Sequence, residues 1–104
     1  MSTTDRREQL QALLEGVLGS GNVYFQPPSN VQMQYPCFVY QRDSAHTEFA
    51  GNKPYNYTQR YQVTLISRNP VDEVLAKAAA LPMCTFNRFF AADNLNHDVF
   101  ELYF

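Results

Sequence analysis

The chain has no tryptophan, and only two cysteines and four glycines among its 104 residues. Two cysteines do not make a disulfide framework in a domain long enough to build its own core. Cys37 and Cys84 could pair in principle; they read as free, buried thiols of a reducing compartment. They also lack the C-x-x-C spacing of redox and metal sites. Four glycines leave no glycine-rich phosphate loop. No apolar run approaches the roughly 18 residues that span a bilayer. Residues 1–20 are charged and helical in pattern rather than basic and then apolar, so no export signal is expected. The glycosylation sequon Asn56-Tyr57-Thr58 is then incidental. Basic charge is scarce too. Eight Lys and Arg against ten Asp and Glu give a net charge of −2, so no global positive field draws nucleic acid or anionic lipid.

What is present fits one domain over residues 1–104, near the commonest domain size. Such a chain buries roughly 60–68% of its unfolded surface. The hydrophobic fraction is 45%, and eight Phe with seven Tyr supply the aromatic bulk. The strongest pattern is Asn56 to Ser67. Tyr57, Tyr61, Val63 and Leu65 fall on one side, interrupted by Gln59; Thr58, Arg60, Gln62 and Thr64 fall on the other. A period of two marks a half-buried strand, and its length makes it the central one.

Residues 1–4 are small and polar and expected to fray. Asp5 followed by Glu8 places a helix start near Thr4 or Asp5. Leu10, Leu13, Leu14, Val17 and Leu18 form its apolar stripe, and Gly19 suits a left-handed cap. Asn22–Gln26 reads as a short strand stopped by Pro27-Pro28, Val31–Gln34 as a brief extended piece, and Cys37–Arg42 as a strand. Residues 43–55 hold Gly51, Asn52 and Pro54 with little apolar content, so they read as a long hairpin loop. Phe49 within it either folds back on the core or awaits a partner. Asn69-Pro70 opens a second helix as N-cap and first turn, with Asp72 and Glu73 near its start. Val71, Val74, Leu75, Ala78 and Leu81 face inward, and Pro82 closes it. Strands at Cys84–Phe90 and His97–Phe104 follow, joined by a turn over Ala91–Asn96. The sum is an α+β fold, a two-layer sandwich with a mostly antiparallel sheet and two helices on one face. The other face is left showing Thr58, Arg60, Gln62 and Thr64.

Chemistry is hard to find. Asp93, His97 and Asp98 are the nearest thing to an acid–base or metal cluster, but sequence neighbours on a strand point to opposite faces. Asp93 and Asn94 suit turn formation better. His46 stands alone in a polar stretch without a partner at zinc spacing. No catalytic residue, metal ligand or cofactor is expected. Aromatic pairs such as Phe38 with Tyr40, or Phe86 with Phe90, could stack bases, yet the accompanying basic residues are missing.

The segments NVYFQPP (22–28), YPCFVYQRD (35–43), NKPYNYTQRYQVTLISRNP (52–70) and LPMCTFNRFFAADNLNHDVFELYF (81–104) occur in this order. Together, over about residues 8–104, they resemble the tail-completion or tail-terminator proteins of tailed phages, also called minor capsid or head–tail joining proteins. ADNLNHDVF at Ala92 to Phe100 is the most distinctive block. The resemblance implies a structural protein of the virion head–tail junction, assembled in the host cytoplasm, that forms a ring, commonly a hexamer. Such a ring caps the tail tube and joins the head connector, so the implied partners are a second copy, the tube protein and a head-completion protein. No membrane and no sequence-specific nucleic acid is implied, and no active-site motif is carried over. The residues expected to make ring or tube contacts are His46, Phe49, Lys53 and Tyr55 in the loop, with Arg60 and Gln62 beside it.

Overall fold

The computed structural model describes residues 3–51 and 53–104, with side chains described for 6–43, 51 and 58–104. The elements run α1 (Thr3–Leu18), β1 (Val23–Phe25), β2 (Cys37–Ala50), β3 (Lys53–Ser67), α2 (Asp72–Ala79), β4 (Cys84–Ala92) and β5 (Leu95–Tyr103). The strands form one sheet in the order β1-β2-β3-β5-β4, so β3 is central, as its alternation requires. All neighbours are antiparallel except β1 with β2, where Val23, Tyr24 and Phe25 pair Phe38, Val39 and Tyr40.

Both helices pack on one face, giving the α+β sandwich. Leu10 and Leu14 of α1 and Ala78 of α2 share one cluster with Phe38, Tyr40, Tyr61, Val63, Leu65, Phe100 and Leu102. The pairings Phe38–Leu65, Tyr40–Val63, Val63–Phe100 and Tyr61–Leu102 set these side chains on the same side of the pleat. Each fully buried large apolar side chain here contributes about 1.5–3 kcal/mol. One polar bridge crosses the layers. The Tyr40 hydroxyl donates to Gln11 Oε1 at 2.6 Å, and Gln11 Nε2 donates to the Val23 carbonyl at 2.9 Å. Gly19 ends α1 at φ 82°, donating its N–H to the Glu15 carbonyl at 2.8 Å, a left-handed closure that favours glycine.

Several boundaries differ from expectation. The helix α1 already includes Thr3 and Thr4; residues 1 and 2, the rest of the stretch expected to fray, lie outside the described residues. Val31–Gln34 carries no strand. In α2 the N-cap is Val71 and the helix opens at Asp72, two residues after the position Asn69-Pro70 suggested, with no side-chain cap. The turn between β4 and β5 is only Asp93-Asn94, at φ 54° and 62°. Two successive left-handed residues make the tight hairpin turn whose twist matches its strands, and Asp and Asn accept that backbone. The ladder therefore reaches Ala92 opposite Leu95, so β5 begins before His97.

The largest correction concerns residues 43–55. They are not an irregular loop. β2 and β3 continue pairing from Ser44 with Arg60 up to Ala50 with Lys53, across a turn at Gly51, where φ is 59°. Backbone hydrogen bonds in the ladder satisfy the same groups whatever the polarity of the side chains, so low apolar content did not exclude a strand. Asp43 and Tyr55 take no cross-strand partner and sit at the two shifts of register. On the face away from the helices, Cys37, Ile66 and Val99 are buried, and Thr58, Arg60, Gln62 and Thr64 are half-buried rather than open. The cysteines are free, as expected, but only Cys37 is fully buried. Burial pushes its thiol up to about 11. Among the described residues no helix is long and apolar enough to cross a membrane.

Candidate interaction surface

The hairpin splits into a body and an arm. From Arg60 to Ser67, β3 lies between β2 and β5, and the Gln59 carbonyl accepts from the Phe104 N–H at 3.0 Å; beyond Gln59 the two hairpin strands have only each other for ladder partners among the described residues. The arm from Ala45 to Ala50 is about 17 Å long at roughly 3.4 Å per residue. It explains why the molecule measures 51 × 25 × 23 Å, with a radius of gyration of 14.7 Å against about 13 Å for a compact chain of 100 residues. At its root Arg60 Nη2 lies 3.0 Å from Asp43 Oδ2. This ion pair spans the bulge. Burial opposes the charge on Arg60, but the Tyr103 hydroxyl and the Asp43 and Glu101 carboxylates favour it more, so its pKa is raised. Arg60 Nε is buried with no hydrogen-bond partner.

The expected contact residues fall into two groups. The backbones of His46, Phe49 and Lys53 pair with Thr58, Pro54 and Ala50 on the arm, and Tyr55 sits at a register shift. The side chains of these four lie outside the described residues. Arg60 pairs Tyr103 as well as Ser44, and Gln62 pairs Gln41 and Glu101. Arg60 is thus the root of the arm and Gln62 belongs to the sheet body.

Residue reading missed a second surface. β4 is an edge strand, and Phe86, Phe89 and Phe90 are 49%, 56% and 39% exposed along it, with Met83 at 69% just before. Phe86 meets Phe100 edge-on at 5.5 Å, while Phe90 stacks on His97 at 4.5 Å with 9° between the planes. The signal was obscured because a register shift at Asn87 breaks the alternation of CTFNRFF. Only pairing with the rest of the sheet decides which strand is an edge.

The cluster of Asp93, His97 and Asp98 does not converge. His97 pairs Ile66 and Phe90, Asp98 pairs Leu65 and Phe89 on the opposite face, and Asp93 forms the turn. Asp98 lines a pocket of about 200 Å³ with Ser67, Asp72, Leu75 and Asn96, where burial raises its pKa against the pull of His97. Among the described residues, no three His, Cys, Asp or Glu side chains are placed to hold a metal ion. A half-open pocket of about 500 Å³ lies between α1 and the C-terminal strand, lined by Leu13, Leu81, Met83, Leu102 and Phe104. The Arg6 guanidinium sits 4.3 Å over the Phe104 ring at its rim.

No known family model matches the chain, and no curated protein matches its sequence.

Proposed function

We propose that this protein is a structural component of a tailed-phage virion, a tail-completion or tail-terminator protein that forms a ring, a hexamer, capping the tail tube and joining it to the head connector. The observation that carries the reading is the β2–β3 arm, which extends beyond the sheet with no ladder partner but itself among the described residues. A two-stranded ribbon is marginal alone in water, so an arm of this kind gains order from a surface outside its own body. A head-to-tail ring needs two different patches on each protomer, one for each neighbour. The arm is one, carrying His46, Phe49, Lys53 and Tyr55, with Arg60 at its root. The ordered segment likeness to tail-completion proteins and the α+β sandwich support the same reading. The role is assembly, with no catalytic step and no cofactor; the ring's partners are its own copies, the tube protein and a head-completion protein.

The test is solution mass by light scattering across a range of concentration, paired with binding to purified tail tubes. A species near six protomers that grows with concentration and caps tubes is expected. In a variant with residues 47–57 replaced by Asn-Gly, His46 and Thr58 stay in register, the fold persists, and capping is lost. A chain that stays monomeric and ignores tail tubes would refute the reading. A shortened chain that still builds full rings and caps tails would remove the arm from it.

A further inference from the structure

We propose that the outer edge of β4 is the second ring patch, and that it receives the free outer edge of the β2 arm, residues 43–50, from a second copy of this chain. The inference rests on the ring reading and names the surfaces that close it. Three observations carry it. The first is position. β1 covers β2 as far as Tyr40, and the Arg42 N–H donates to Gln26 Oε1 at 3.2 Å, so the outer edge of β2 has no strand beside it from Asp43 to Ala50 among the described residues. β4 ends the sheet at the other side. The two free edges lie at opposite ends of one sheet and are nearly equal in length, eight residues (43–50) and nine, the arrangement a head-to-tail contact requires. An unpaired edge is a template for another strand, and natural sheets usually blunt it with charge or proline. β4 carries one charge and no proline.

The second observation is area. Phe86 and Phe89, about half exposed, stand on the helix side of β4, and Phe90 is exposed on the other, which leaves on the order of 200 Å² of aromatic surface on the helix side alone. Met83 extends the patch. That is about a quarter of the roughly 800 Å² each partner buries in a standard interface, and strand pairing supplies further contact.

The third is charge, and it selects the occupant. Arg88 is the midpoint of β4. A fully overlapping antiparallel pair of two β4 strands would set Arg88 against the second copy's Arg88, and like charges directly opposite are destabilising. The free segment of β2 instead holds Glu48 and Asp43, the latter also paired with Arg60, and no lysine or arginine. β4 therefore pairs better with the arm of its neighbour than with itself.

The experiment places a photo-crosslinking benzoylphenylalanine at Phe89 in the full chain at ring-forming concentration, and maps adducts by mass spectrometry. The expected adduct joins residue 89 of one chain to residues 43–50 of another. Alongside it, Phe89→Lys should weaken association at least tenfold, and Arg88→Gln a few-fold, with unchanged circular dichroism. An adduct from β4 to β4, with Arg88→Gln strengthening association, would mean a two-fold contact and overturn the proposal. Rings that form normally with Phe89→Lys and crosslink elsewhere would overturn it while leaving the ring reading intact. A monomer at every concentration would end both.

Discussion

The two halves of the β2–β3 hairpin share a pair of strands but not their surroundings. In the lower half, Phe38, Tyr40, Tyr61, Val63 and Leu65 are buried beneath Leu10 and Leu14 of α1 and beside Phe100 and Leu102 of β5. In the upper half the ladder continues with only its own partner strand. The same backbone pairing thus has two sources of stability. Below, side-chain burial dominates, at about 1.5–3 kcal/mol for each large apolar group. Above, hydrogen bonds contribute only about 0.5–1.5 kcal/mol net apiece against the ordering of each residue. Core strands of the lower kind open only with the whole molecule, whereas ribbons of the upper kind open locally. The body is built to hold a shape. The arm is built to be completed by something else.

Four changes break or sharpen that contrast. Phe100→Ala empties the body's core and should cost about 3–5 kcal/mol in urea denaturation, because Phe100 is 1% exposed and packs in the central cluster. A loss below 1 kcal/mol would show that the body is not the stable half. Raising the pH attacks the body differently. The Cys37 thiol is raised from 9.0 to about 11 by burial, so its stabilisation is complete below the unfolded value and is lost as pH rises through the folded one. Native stability should fall by on the order of 2 kcal/mol between pH 9 and 11, and Cys37→Ala should flatten that part of the profile. Replacing residues 47–57 with Asn-Gly should shift the stability of the body by no more than about 1 kcal/mol. A larger loss would mean that the arm supports the fold as well as an interface.

The smallest effect concerns Asp98, beneath α2 in the 200 Å³ pocket. Burial raises its pKa, with His97 opposing. Its contribution is therefore present at acid pH and lost as pH rises above the ordinary carboxylate range. Asp98→Asn should stabilise the protein at pH 7 by no more than about 0.5 kcal/mol, the group being partly open to solvent. Equal urea midpoints at pH 3 and a small gain at pH 7 are the expected pair of readings.

Local pattern explains why the body was legible. The alternation of Tyr61, Val63 and Leu65 required a half-buried strand, and their burial at 0–3% exposure follows from it. The stripe of Leu10 and Leu14 required a covered helix face, and Gly19 its left-handed end. The arm was misread for a physical reason. Ser44 to Ala50 holds a single large apolar residue, Phe49, and period-two reasoning detects burial rather than pairing. Gly51-Asn52 between two runs of similar length was the available signal, since such a dipeptide closes a two-residue hairpin. The turn at Asp93-Asn94 was recognised in kind, but its extent came from the ladder that closes on it.

By its residues alone, this chain determined two amphipathic helices, a central strand and a core of Phe, Tyr, Leu and Val. Those are local properties, written in spacing and side-chain type. Tertiary structure decided the rest. It set β1 parallel to β2 and separated His97 from Asp98 by a sheet. It also left Phe86, Phe89 and Phe90 on an edge. An edge is a relation between strands distant in sequence. No single strand carries the information that nothing lies beside it.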